Sequence, residues 1–309
     1  MQLNIYPLLV AIGLCSAPLH AQTDQDALWM PAKNICGGFV YQYGSWNHYW
    51  EGKLYRENEN IGTFSSHAVM AMANYGINDN LNLIVALPWV HNKVSAGTLI
   101  GQQGIQDLSA ALKQYLLGRN LGKNYSLHLA GVAGISTPLS DYVADYLPLS
   151  IGMRSTNGFA RLIADVVKQK WYATATASFM LRSNIKIDRT AYYTTEMNYG
   201  NVVNMPALAT VQLRLGYRKS ADHYIELLTE HMETIGGFDI RRNDMPFPSN
   251  NMDLLRTGIN AKWGLGSSGL SLMGSGMYTL AGRNMGRSTT FSLGVVYQTD
   301  FSKKVHVQP

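Results

Sequence analysis

The chain has 309 residues, a formal charge of +5 and 46% hydrophobic residues, but only 15% charged ones, against roughly 25% in soluble domains. So little charge cannot easily cover a water-facing surface, whereas a wall set in hydrocarbon needs none. The basic excess is spread out, without a basic run or a recognition-helix pattern, which argues against a nucleic-acid partner.

The first segment reads as a signal peptide. It is largely apolar over 3–18, and Ala21 offers a small residue before a cut ahead of Gln22, although its n-region has no Lys or Arg. Sec-type export follows from that reading. Cys15 follows Leu14, where a lipoprotein signal needs a small residue. Loss of 1–21 would leave Cys36 alone, so neither an internal disulfide nor a cysteine-based metal or catalytic cluster is expected. Beyond the signal no apolar run approaches the roughly 20 residues of a spanning helix; the longest, 83–90, is broken by Pro88.

A short periplasmic stretch, 22–33, should lead into a region dominated by alternation with a period of two. Over 171–183 the apolar set is Trp171, Ala173, Ala175, Ala177, Phe179 and Leu181, and Tyr172, Thr174, Thr176, Ser178, Met180 and Arg182 fall on the other face. The same pattern recurs at 106–116, 125–137, 157–168, 205–218, 225–230, 255–263 and 291–301, and more weakly at 35–45, 65–76, 81–91 and 269–280. About twelve strands result, each near or above the 9–11 residues of a tilted membrane strand. The connections alternate long (46–64, 93–103, 138–156, 184–203, 235–251) with short (78–80, 118–122, 169–170, 220–221, 266–269), and only 282–287 is brief for its place. The fold class is therefore all-β: a transmembrane antiparallel β-barrel over 34–301 in the outer membrane, with short periplasmic turns, long extracellular loops and a periplasmic tail at 302–309. A soluble sandwich alternates too, but its strands are shorter, about 5–6 residues.

Tyr75-Gly76-Ile77-Asn78-Asp79-Asn80-Leu81-Asn82-Leu83 with Leu87-Pro88-Trp89, then Gly104-Ile105-Gln106-Asp107-Leu108 leading to Lys113 and Tyr115, and 131–141 with Ser136-Thr137-Pro138, resemble the outer-membrane family named after the meta-cleavage pathway of phenol degradation. The resemblance is specific over 65–145 and architectural beyond. It implies a transport role and a relationship to the twelve-stranded pore that exports functional-amyloid subunits, and it supplies no catalytic residue.

Asp107, Lys113, Arg161, Asp165, Arg182, Arg214, Arg218, Glu226, Glu230, Arg256 and Lys262 fall on the expected lumen-lining face. They form either a charged constriction that selects solutes or a polar interior in which acids pair with bases; Arg214 should meet Glu226 or Glu230 across a hairpin. The mid-loop aromatics Trp50, Tyr146, Tyr192 and Tyr193 are candidates for a site that captures apolar or aromatic solutes from outside, against a bland role in loop packing and the aromatic girdle.

No histidine stands two residues before a serine, as in the outer-membrane phospholipase. Asp239 and Asp244 lie beside Arg241 and Arg242, more in the manner of ion pairs than of a protease site. The expected function is a channel or transporter for small molecules, hydrophobic or aromatic ones among them, with no enzymatic activity, cofactor or metal. The alternatives are a non-conducting barrel that displays loops for adhesion or assembly and, more remotely, an outer-membrane hydrolase. Lipid and lipopolysaccharide are expected around the wall, and the terminal strand, ending at Phe301, should be read by the barrel-assembly machinery.

Overall fold

The computed structural model describes residues 23–300 apart from Lys123 and Asn243. The expected signal peptide, Phe301 and the tail at 302–309 lie outside the described residues. Twelve long strands form the body: β1 (Asn34–Trp46), β2 (Phe64–Asn78), β3 (Leu81–Val94), β4 (Asp107–Gly122), β5 (Tyr125–Pro138) and β6 (Asn157–Lys168), then β7 (Trp171–Arg182), β8 (Ala207–Ser220), β9 (His223–Ile235), β10 (Asp253–Gly264), β11 (Leu270–Arg283) and β12 (Thr289–Asp300). Each pairs antiparallel with the next, and β12 pairs with β1 from Asn34↔Asp300 to Ser45↔Thr289. The sheet closes on itself and leaves no unpaired edge. No helix occurs among the described residues.

Alternation decides which face of each strand looks outward. On β7, Trp171 and Leu181 are 64% and 62% exposed, while Tyr172, Thr174 and Thr176 are buried. On β12, Phe291, Leu293, Val295 and Tyr297 stand outside and Val296 and Gln298 inside. The outer wall is thus apolar and the inside largely polar, the reverse of a water-soluble barrel. At Pro88, which has no amide proton to donate, the carbonyl still accepts the Gln106 amide at 2.9 Å, so the wall continues from β3 through a short strand, Gln102–Ile105, into β4.

All the long connections emerge at one end. The first carries a hairpin of His48–Glu51 with Leu54–Glu57. The connection after β7 carries two, Ile185–Lys186 with Val202–Val203 and Ala191–Tyr193 with Met197–Tyr199. Ala144, Ile185, Ile187, Val203, Met205 and Phe247 make a small apolar core among these loops.

The segment before β1 departs from expectation. It is expected as a short periplasmic stretch leading into the barrel, whereas residues 23–31 run into the lumen itself. Gly76 makes the passage possible, because a β-carbon there would collide with the Pro31 carbonyl oxygen. Above that point Met30 is fully buried against Cys36 and Val296, and Asn82 bonds both its amide (3.0 Å) and its carbonyl (2.8 Å). The physical reason is charge: the segment's acids answer bases on the wall, as described next.

Candidate functional site

The lumen is the candidate site, and chain enters it from both ends. From the turn end, segment 23–31 reaches the waist. Lys113 on β4 is fully buried, and its ammonium donates to Asp26 Oδ1 (3.0 Å), Thr23 O (2.9 Å) and Leu28 O (2.8 Å). Those three bonds use all three donors of the ammonium, and all three acceptors belong to the segment. Trp29 adds its ring face, 5.0 Å from Nζ. Arg161 on β6 forms an ion pair with Asp24. Thr176 on β7 bonds the Gln25 carbonyl (3.2 Å), and Gln212 on β8 meets the Gln25 side chain (3.2 Å).

From the loop end, the connection between β5 and β6 dips inward. Leu149 is fully buried. Its carbonyl and that of Ser150 accept from Asn92 on β3 (3.2 and 2.9 Å), and Ile151 packs on Val90 and Tyr142, with Ala68 alongside. Beside the segment a chamber of about 180 Å³ remains, lined by Gln25, Arg161, Ser178, Met180, Gln212 and Arg256 among others.

The remaining charged residues of the inner face pair mainly with one another. Arg214 reaches Glu226 at 3.0 Å, one diagonal step across the β8–β9 hairpin, and takes Gln212 Oε1 at 2.8 Å. Glu226 also accepts from Tyr172 (2.6 Å) and Asn260 (2.9 Å). Arg256 meets Glu230 at 2.6 Å, Arg218 meets Asp165 at 3.7 Å, and Lys262 meets Asp222 in the adjoining turn at 2.5 Å. Asp107, at the loop rim, accepts the Tyr142 hydroxyl at 2.6 Å. Arg182 donates Nε to the Pro206 carbonyl at 2.6 Å. Acid–base pairing therefore accounts for most of the wall, and three bases, Lys113, Arg161 and Arg182, have no acid partner on it among the described residues.

The four mid-loop aromatics do not converge, contrary to expectation. Trp50 is buried beside β11, where its ring lies over Gly282 and packs on Tyr55 at 5.4 Å. Tyr146 is tied to the neighbouring loop by the Ile100 amide, which donates to its hydroxyl at 3.0 Å. Only Tyr192 and Tyr193 share a cavity, a cleft of about 310 Å³ that they line with Asp145, Arg189, Arg241 and Phe247. There Tyr192 stacks on Phe247 at 5.4 Å and Arg241 lies 4.0 Å over the Tyr193 ring. Each ring is held by partners close at hand, Trp50 by Tyr55 in its own hairpin, Tyr146 and Tyr192 by Ile100 and Phe247 in other loops, which spacing along the chain cannot show.

The segment residues Asp24, Gln25 and Asp26 were missed as functional residues. A usable signal existed: two acids directly precede the first strand, while bases exceed acids on the inner face.

No family model matches the chain, and no curated protein matches it. Among solved structures, the COG4313 outer membrane channel from Pseudomonas putida F1 aligns over 90% of this chain and 99% of its own, with 16% identity and a TM-score of 0.69. The translocator domain of autotransporter NalP from Neisseria meningitidis aligns over 87% and 88%, with 11% identity and a TM-score of 0.45. The KdgM porin aligns over 84% and 98%, with 8% identity and a TM-score of 0.44. The likeness to the first is one of fold, a closed antiparallel barrel of the outer-membrane kind.

Proposed function

We propose that this protein is an outer-membrane channel for small solutes, with its short turns in the periplasm and its long loops outside. The observation that carries this reading is the lumen itself. It is a polar shaft inside an apolar wall, and the peptide that stops it is held only by hydrogen bonds, ion pairs and side-chain packing. A barrel built solely as a scaffold could fill its interior with wall side chains. This one leaves a chamber, and in this reading the segment beside it withdraws to open the path. The COG4313 protein is by its name an outer membrane channel, and the sequence resemblance to the phenol-degradation family points the same way.

Aromatic solutes belong to this reading through the rim cleft of Tyr192, Tyr193 and Phe247, since rings gain from a concave aromatic surface. Uptake into proteoliposomes tests it, with a small aromatic acid compared against a small sugar. Wild-type protein should admit both, and Tyr192→Ala/Tyr193→Ala should lower aromatic uptake while sugar uptake stays level. Equal loss of both would assign the rings to folding alone. No uptake of either solute would favour the second reading, a non-conducting barrel that displays its loops, for which the chain inside the lumen speaks.

A further inference from the structure

Segment 23–31 fills the lumen as a peptide, but it meets the wall as an anion would. Lys113 is buried on β4, and the acceptors of its ammonium all come from the segment: one carboxylate oxygen of Asp26 and two carbonyls. Arg161 faces the Asp24 carboxylate. The neighbouring bases are already neutralised by the wall or its turn, Arg214 by Glu226, Arg218 by Asp165, Arg256 by Glu230 and Lys262 by Asp222. Arg182, nearer the loop rim, adds a third base without an acid. One of its terminal nitrogens is buried and meets no hydrogen-bond partner among the described residues. The other acids of the inner face among the described residues, Asp107 and Asp300, stand at the ends of β4 and β12, at opposite rims of the barrel.

We infer that the lumen, once the segment withdraws, selects anions, and that the solutes it is built to pass carry a carboxylate that takes the places of Asp26 and Asp24 on Lys113 and Arg161. This rests on the channel reading above and adds the charge class of the solute. Withdrawal of the segment removes two negative charges from the waist and leaves two positive ones facing the path. In a narrow lumen with low-dielectric walls such an excess of one sign concentrates counter-ions and repels co-ions. A carboxylate restores what the segment supplied: an acceptor for the buried ammonium and an oxygen pair for the guanidinium, the geometry for which Arg is best suited. The same solute would compete with the segment for these two bases, so a suitable anion favours the open lumen.

The experiment is the reversal potential in planar bilayers across a potassium chloride gradient, with benzoate replacing chloride in a second series. The protein is used as wild type and as Asp24→Asn/Asp26→Asn, which removes the segment's two charges with nearly isosteric side chains. Two further variants on that background are Lys113→Gln/Arg161→Gln and Lys113→Arg. Heat-modifiable migration on gels verifies that each barrel is folded. The Asp24→Asn/Asp26→Asn protein should conduct with a several-fold preference for chloride over potassium, and benzoate should carry current. Neutralising Lys113 and Arg161 should bring the preference close to one, and Lys113→Arg should keep it. Conductance that prefers cations, or a preference unchanged by Lys113→Gln/Arg161→Gln, would overturn the inference and leave the channel reading intact. Folded barrels that conduct in no variant would overturn the channel reading and this inference with it.

Discussion

Glu226 shows what a polar lumen demands of single residues. Its two oxygens receive Arg214, Tyr172 and Asn260 from three different strands, so one carboxylate fastens β7, β8 and β10 to β9. Both members of its ion pair are buried. Removing Arg214 would leave the acid without its cation, at a cost of about 3–5 kcal/mol for a dry pair. Arg214→Ala should therefore lower the urea midpoint of the barrel in lipid vesicles. The double variant Arg214→Met/Glu226→Met should lose less than the single one, because no lone charge remains. A single-variant cost below about 1 kcal/mol would mean that the pair is solvated like a surface bridge. This pair was legible in the sequence, since alternation and the short turn fix the register to within one diagonal step.

A second residue-scale test concerns the loops. Asp239 accepts Arg283 twice, at 2.7 and 2.8 Å, and Asn284 at 2.8 Å. The Arg283 bond, chiefly, holds the Asp239 carboxyl below the usual carboxylate range, with Asn284 helping and partial burial opposing. A carboxyl depressed in the folded state contributes fully above its unfolded value, about 4. That contribution is lost as pH falls through the lower folded value. Hydrogen exchange over 236–252, corrected for intrinsic chemistry, should be low and flat above pH 4 and should rise below it. In Asp239→Asn it should be raised already at neutral pH. Equal protection at pH 3 and pH 7 in the wild type would contradict the latch.

At the scale of elements, the strands were readable because period two is enforced by lipid on one side and by the lumen on the other. The reading falters where a strand carries a bulge. Between Tyr115 and Leu117 the register of β4 against β5 shifts, and Leu116 and Leu117 both end up exposed, so parity counted from Lys113 no longer holds. The N-terminal segment was not legible as an element. It has no periodicity, and its place is set by long-range partners such as Asn82, Lys113 and Gln212. One trace of it does lie in a strand, at Gly76, where only a hydrogen leaves room for Pro31. Gly76→Ala should therefore push the segment from its seat while the barrel still closes. With Gln25→Cys as a reporter in a Cys36→Ala background, a membrane-impermeant maleimide should label slowly and then faster once Gly76→Ala is added. Equal rates would mean that the segment finds another way past β2.

For the whole molecule, the low charge content, the even strand count and the unequal connections pointed to a barrel with one elaborate end, and the closed sheet from β1 to β12 is that barrel. The candidate site was legible only by halves. The inward bases could be read off strand parity, but most of them proved to be paired. Of the rest, Lys113 and Arg161 face a peptide whose role depends on the chain folding back into its own barrel, and the loop aromatics depend on contacts between loops that spacing does not reveal. The proposed channel requires that the chain's own N-terminal segment stop a solute path through the lumen. Single-channel current compares the wild-type protein with one lacking residues 23–30, both checked for folding. Removal of the segment should raise the conductance step several-fold. A folded barrel whose conductance is no greater without the segment than with it would contradict the claim.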